Sequence, residues 1–247
     1  MKTTKAYLTY ALNREGDLVH IDSVENGNEC GCFCPACKKT LQAKNAGLIR
    51  EHHFAHQPGV DCPTALETAL HFLAKDKIQK AFYDKNVFNM EFEYHSYCKN
   101  VQTCKFVRYD DCEKYERKAF NLKEFYDLCE QEIPYDEIRR RSDLKIRSKA
   151  HPEREPIYIE IFVTHASESE KLHSGCKIIE VKIKDESDID NVVANGFCEG
   201  KRMTNHHRES VVAAKTAFYG FKTEDHNNTS INQEIAFSRY ILYQSRK

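Results

Sequence analysis

The feature that most limits what this chain can fold into is a run of metal-ligand residue types between positions 30 and 62. It reads Cys34-Pro-Ala-Cys37, then His52-His53-Phe54-Ala55-His56, then Cys62. Zinc takes thiolate sulfur and imidazole nitrogen in tetrahedral sets of four, and a CxxC turn offers two sulfurs from one bend. The second pair must come from a later turn. His56 and Cys62 bracket Pro58-Gly59, which can fold the chain back on one ion. The spacing therefore favours Cys34, Cys37, His56 and Cys62, with His53 the rival for one position. Four protein ligands leave no open coordination position, so such a zinc is structural. Two readings need no zinc: buried cysteines beside surface histidines, and a redox CxxC, which lacks the βαβ setting it would need here. Cys30 and Cys32 alternate with Cys34 and share its strand face.

Eleven cysteines in a chain without an apolar signal-peptide core favour metal binding over disulfides. No run approaches the roughly 18 apolar residues of a membrane helix. The expectation is a cytoplasmic protein with no membrane partner. Hydrophobic residues at 40% of 247 suffice for a real core, so disorder is rejected for most of the chain. Lys+Arg 37 nearly balances Asp+Glu 38, so nucleic-acid binding would have to rest on a local patch. His95, Cys98, Cys104 and Cys112 form a second, irregularly spaced group. Free cysteines in an insertion account for it more simply than a second zinc. Cys129, Cys176 and Cys198 read as packing residues.

Local patterning predicts an α/β or α+β fold. AYLTYAL and LVHIDSV around Asn13–Asp17 form a hairpin, and residues 64–83 form a helix from the spacing of Leu66, Ala69, Leu70, Leu73, Ile78, Ala81 and Phe82. Strands are expected at 87–98, in RSDLKIRS, in PIYIEIFVTHA, which is rich in β-branched residues and tyrosine, and at 177–183, a short, strongly β-type run. Short helices are expected at 120–131, 168–174, 205–215 and 233–245. The composition divides the chain into residues 1–62 (hairpin and zinc module), 63–188 (core with a cysteine-bearing insertion near 95–115) and 189–247 (extension). The terminal segment IAFSRYILYQ is apolar enough to dock on the core or to bind a protein partner or a second copy.

Asp143 in RSDLKI and Glu160 in IYIEIF fall on two expected strands. If those strands are neighbours, the carboxylates stand side by side and suit Mg²⁺ or Mn²⁺, which prefer oxygen ligands. Glu67 lies in the first turn of the long helix, with His71 and Lys75 on the same face. Acidic residues are common enough that strand carboxylates and a helix-start Glu also have an ordinary explanation. Arg139, Arg140, Arg141, Lys145, Arg147 and Lys149 make a basic stretch around Asp143, which is either a phosphate-facing patch or a solvated surface.

In this order the motifs resemble those of the competence protein CoiA-like family: Cys34-Pro-Ala-Cys37, HHFAH, Cys62, Glu67-x3-His71-x3-Lys75, then RSDL, YIEIFVTH, Glu170-Lys171 and KIIEVKI. The resemblance covers roughly residues 1–185 and implies a PD-(D/E)XK restriction-endonuclease-like core behind an N-terminal zinc ribbon-like finger. It implies that Asp143 and Glu160 hold a catalytic Mg²⁺ or Mn²⁺, that Glu67 supports it, and that the chain is an endodeoxyribonuclease acting in foreign-DNA defence or DNA processing. One position departs: Phe162 stands where the motif has Lys, or Gln in many relatives. Lys171 with His165 are the expected replacements, Lys75 a further one. Two rivals follow, a catalytically inactive nuclease fold that binds nucleic acid and a scaffold subunit of a larger complex.

Overall fold

The computed structural model describes residues 7–97, 113–132, 141–164, 166–167, 172, 174–199, 202–205, 208–211 and 216–221. The chain opens with the hairpin β1 (Tyr10–Leu12) and β2 (Leu18–His20), paired antiparallel. Its turn is held by the Asp17 amide, which donates to Asn13 Oδ1 at 2.7 Å. A second hairpin, β3 (Leu41–Lys44) with β4 (His53–His56), sets Leu41 opposite His56. Phe33 bridges both, pairing with Leu12 and Thr40. Beneath them lies a small core of Ala11, Ile21, Cys32, Cys34, Leu41, Ala43, Phe54 and Ala65.

Helix α1 (Ala65–Asp84) follows within a residue of its expected start. It buries Ala69, Leu70, Leu73, Ile78, Ala81 and Phe82, side chains whose spacing announced it, and Ala74 with them. Next comes the long hairpin β5 (Asn89–Tyr97) and β6 (Glu113–Asn121). The central strands are β7 (Leu128–Gln131), β8 (Leu144–Arg147), β9 (Ile157–Phe162) and β10 (Lys177–Lys182). Then follow α2 (Glu186–Asn195), β11 (Phe197–Cys198), β12 (Arg202–Asn205), β13 (Arg208–Val211) and β14 (Thr216–Tyr219).

The central sheet has five strands in the order β14-β10-β9-β8-β7. β7, β8 and β9 form an antiparallel meander, β10 runs parallel to β9, and β14 closes one edge antiparallel to β10. Strand alternation gives this sheet two distinct faces. Ile157, Ile159, Ile161, Ile179, Val181 and Ile183 join Leu70, Leu73 and Ile78 of α1 in the main core. Tyr158 and Ile178, one residue out of phase, pack instead with Leu172 and Tyr219. The three-stranded sheet β11-β5-β6 adds Met90, Phe92, Phe120 and Phe197 to the main core, and Phe88, just ahead of β5, joins them. Among the described residues no helix is long and apolar enough to cross a membrane.

Several elements differ from the expectations. Residues 120–131 hold the end of β6, a 3-10 turn at Leu122–Glu124 and β7 in place of a helix. Asn121 starts that turn by accepting from the Lys123 amide at 3.2 Å. Leu122, Tyr126 and Cys129 are buried, and their spacing imitates a helical stripe. Within 205–215, the described residues belong to β12 and β13, which pair antiparallel with Asn205 opposite Arg208, and not to a helix. The expected helix at 233–245 and most of that at 168–174 lie outside the described residues. Helix α2 was not foreseen; Asp185 caps it by accepting from the Asp188 amide. The expected boundary at 188 falls inside α2, and β11 and β14 of the supposed extension pair with β5 and β10.

Candidate functional site

The cysteine–histidine site forms where three local structures meet. Cys34 and Cys37 come from the turn after Phe33, which closes when the Lys38 amide donates to Cys34 O at 3.0 Å and the Cys34 amide to Lys39 O at 2.9 Å. Lys38 takes a positive φ of 60° to make that turn. His56 ends β4, and Cys62 lies just before α1, its carbonyl accepting from the Ala65 amide at 3.3 Å. The ligand atoms of Cys34, Cys37, His56 and Cys62 all lie within 4.8 Å of one another. Cys37 Sγ is 3.3 Å from His56 Nε2, and Cys34 Sγ is 3.9 Å from Cys62 Sγ.

Burial raises the Cys34 thiol to about 11. For Cys37, burial also opposes ionisation, but the Lys39 backbone amide and the neighbouring His56, Cys34 and Cys62 outweigh it and bring the thiol to about 7. A set of three sulfurs and one imidazole, one of them already poised to ionise near neutrality, fits a structural zinc. His53 does not join the set. It lies three positions before His56 on β4, so alternation turns it to the other face. There its Nδ1 meets the Glu51 carbonyl at 2.9 Å, and its ring lies 5.0 Å from that of Tyr7. Cys30 and Cys32 stay outside too, their thiols donating to Leu41 O and Cys30 O. Burial, then the neighbouring Cys30, pushes the Cys32 thiol up to about 12. Cys98, Cys104 and Cys112 of the second cysteine group lie outside the described residues.

The carboxylates gather along one end of the central sheet. Glu67, His71 and Lys75 form a single stripe of α1, and each meets a different strand end. Thr164, just past β9, donates to Glu67 Oε1 at 2.6 Å. His71 Nε2 lies 2.9 Å from Oδ1 of Asp143, just ahead of β8. Lys75 Nζ, 2% exposed as a residue, donates to Oε1 of Glu132, just past β7, at 2.6 Å. The other Asp143 oxygen, Oδ2, accepts from the Ile161 amide at 2.7 Å. Since Leu144 pairs with Ile159, one further step of the register sets Asp143 opposite Glu160.

Glu160 is buried, and so is Glu180, its register partner on β10. Glu180 accepts from the Ser167 amide at 2.8 Å. Burial, followed by the Glu180 charge, raises the Tyr219 hydroxyl above its usual value. Sequence reasoning passed over Glu180, although a lone acid within the apolar run KIIEVKI was a usable signal. Among the described residues, the cysteine–histidine set is the one group whose ligand atoms crowd within 4.8 Å; Glu67, Asp143 and Glu160 do not close to that degree. Lys75 is committed to Glu132, so it is not available as a replacement for the motif lysine. His165 and Lys171 lie outside the described residues. Of the basic stretch, Arg147 pairs with Glu130, and Arg141 approaches Glu132 at 4.0 Å.

Comparison with known proteins is informative for the N-terminal part. Neither a curated protein nor a solved structure matches the chain. Residues 18–65 match the family model described as "Competence protein CoiA, N-terminal domain". That match contains all four residues of the cysteine–histidine site, and over those residues the chain is similar to the CoiA N-terminal domain.

Proposed function

We propose that this chain is a divalent-metal-dependent nuclease that hydrolyses phosphodiester bonds in DNA, in foreign-DNA defence or DNA processing. The observation that carries this reading is the placement of Asp143 and Glu160 opposite one another on neighbouring strands, with Glu67 brought to the same sheet end by α1. The order α1, then the β7-β8-β9 meander, then β10 parallel to β9 supports a PD-(D/E)XK-type core, with the β5–β6 hairpin as an insertion.

The residues fit a hard cation by their donor chemistry. Asp143 and Glu160 would hold it, and Glu67 would support it. A carboxylate has about four lone-pair sites, so Asp143 keeps acceptor capacity beside its contacts with His71 and the Ile161 amide. When bound, Mg²⁺ or Mn²⁺ supplies a water of lowered pKa and neutralises charge on the phosphodiester. The chain's own part is positioning. The Ile161 amide and His71 fix the Asp143 carboxylate from two sides, and Thr164 fixes Glu67. Burial of Glu160 limits competition from bulk water. The zinc module is structural in this reading, stabilising the segment that leads into α1.

One observation favours a second reading. Phe162 occupies the motif lysine's position, which fits a non-catalytic module that binds nucleic acid without cutting it. The experiment is cleavage of labelled single- and double-stranded DNA by the purified protein in Mg²⁺, Mn²⁺ or EDTA, beside the D143A/E160A variant. Metal-dependent cutting that the variant loses upholds the nuclease. Binding without cutting under any condition transfers the conclusion to the binding module.

A further inference from the structure

Phe162 has a neighbour that the sequence does not reveal. The parallel register of β9 and β10 pairs Glu160 with Glu180 and Phe162 with Lys182. Alternation places all four side chains on the sheet face opposite α1, since Ile159, Ile161, Ile179 and Val181 face the helix side. Paired strands run only about 4.8 Å apart, and the Lys182 ammonium lies over the Phe162 ring, 5.5 Å from its centroid. We propose that Lys182 supplies, from the adjacent strand, the cation that contacts the scissile phosphate beside Asp143 and Glu160. This rests on the nuclease reading above.

The electrostatics of the sheet end call for such a group. Asp143, Glu160 and Glu180 occupy one row across three strands, and a phosphodiester brought to that row meets like charge. Other cations have carboxylate partners: at this end Lys75 and Arg141 approach Glu132, and towards the other end Arg147 pairs with Glu130 and Lys177 with Glu155. Lys145 lies over Tyr158, two register pairs from the Asp143–Glu160 row on the side away from the strand ends. Among the described residues Lys182 makes no ion pair, and its ammonium rests on an aromatic face, a contact that localises a cation without neutralising it. Phe162 is then the platform for a lysine carried one strand over. The departure from the motif and the position of Lys182 have one explanation.

The test uses the full chain and the variants K182A, K182R, F162K and F162K/K182A, each checked for a wild-type thermal melt. Two quantities are read: the metal-dependent cleavage rate, and the salt dependence of DNA binding in EDTA. Removing one well-placed charge from a phosphoryl site costs on the order of a hundredfold in rate. K182A should lose about that much, and the slope of log affinity against log salt should flatten by about one contact. K182R should keep the salt slope, and F162K/K182A should regain cleavage by returning the charge to β9. If K182A folds poorly, recovery in F162K/K182A decides the matter. Cleavage and salt slope both unchanged in a folded K182A overturn the role of Lys182 and leave the nuclease reading intact. A wild type that does not cut overturns the nuclease reading, and this proposal with it.

Discussion

Replacing Cys37 by serine tests whether the N-terminal module depends on metal. The buried core of the module contains only three large side chains, Ile21, Leu41 and Phe54, with small residues and cysteines between them. At about 2 kcal/mol for each large side chain buried, they contribute about 6 kcal/mol. Structural zinc contributes about 10–16 kcal/mol in small zinc-folded units at neutral pH. The metal term exceeds the apolar term, so the module should not keep its fold once the ion is gone. Cys37 is the informative ligand because it contacts His56 directly and its thiol lies at about 7, ready to ionise. C37S should lose one equivalent of zinc relative to wild type, measured by elemental analysis. Amide exchange across β1 to β4 should accelerate by at least about a hundredfold, while α1 and the central sheet remain protected. A strong chelator should do the same to the wild type. Zinc ligands must be deprotonated, so metal-linked stability is present at higher pH and is lost as pH falls and protons reclaim the thiols. Unchanged zinc content in C37S, or unchanged exchange after chelation, would refute the argument.

Two further substitutions test the sheet end and the packing. E132Q leaves the buried Lys75 ammonium without its carboxylate; since Glu132 itself is 51% exposed, the cost should be about 1–2 kcal/mol in urea denaturation. The Lys75 hydrogen bond holds the Glu132 carboxyl below its usual value. Its contribution is therefore complete above the unfolded carboxyl range and lost as pH falls through the depressed folded value, so wild type and E132Q should converge in acid. G196A places a methyl group 2.0 Å from Asn89 O at a residue with φ of +81°, and should destabilise by about 3 kcal/mol. A loss below about 1 kcal/mol would mean that the α2–β5 approach yields easily.

The ligand set illustrates how far local information reaches. CxxC and the Pro58-Gly59 bend made Cys34, Cys37, His56 and Cys62 nameable from spacing alone. The choice between His53 and His56 was left open, because alternation says that they face opposite ways but not which way the cysteines lie. Pairing of β3 with β4 settles it by setting His56 beside the Leu41 end of the knuckle. The reverse error arose at Leu122, Tyr126 and Cys129, where burial on a turn and a strand copies helical spacing.

What the sequence determined by itself is whatever is encoded in short-range periodicity and donor type. That includes the twenty residues of α1, the β-branched strands, and the members of the cysteine–histidine cluster. Tertiary structure decided the adjacencies. A strand's alternation names the residues on each of its faces but does not say which strand lies beside it, since hydrogen-bond pairing joins distant segments through identical backbone groups. Glu180 beside Glu160, Lys182 beside Phe162, and β14 against β10 all follow from that non-local pairing.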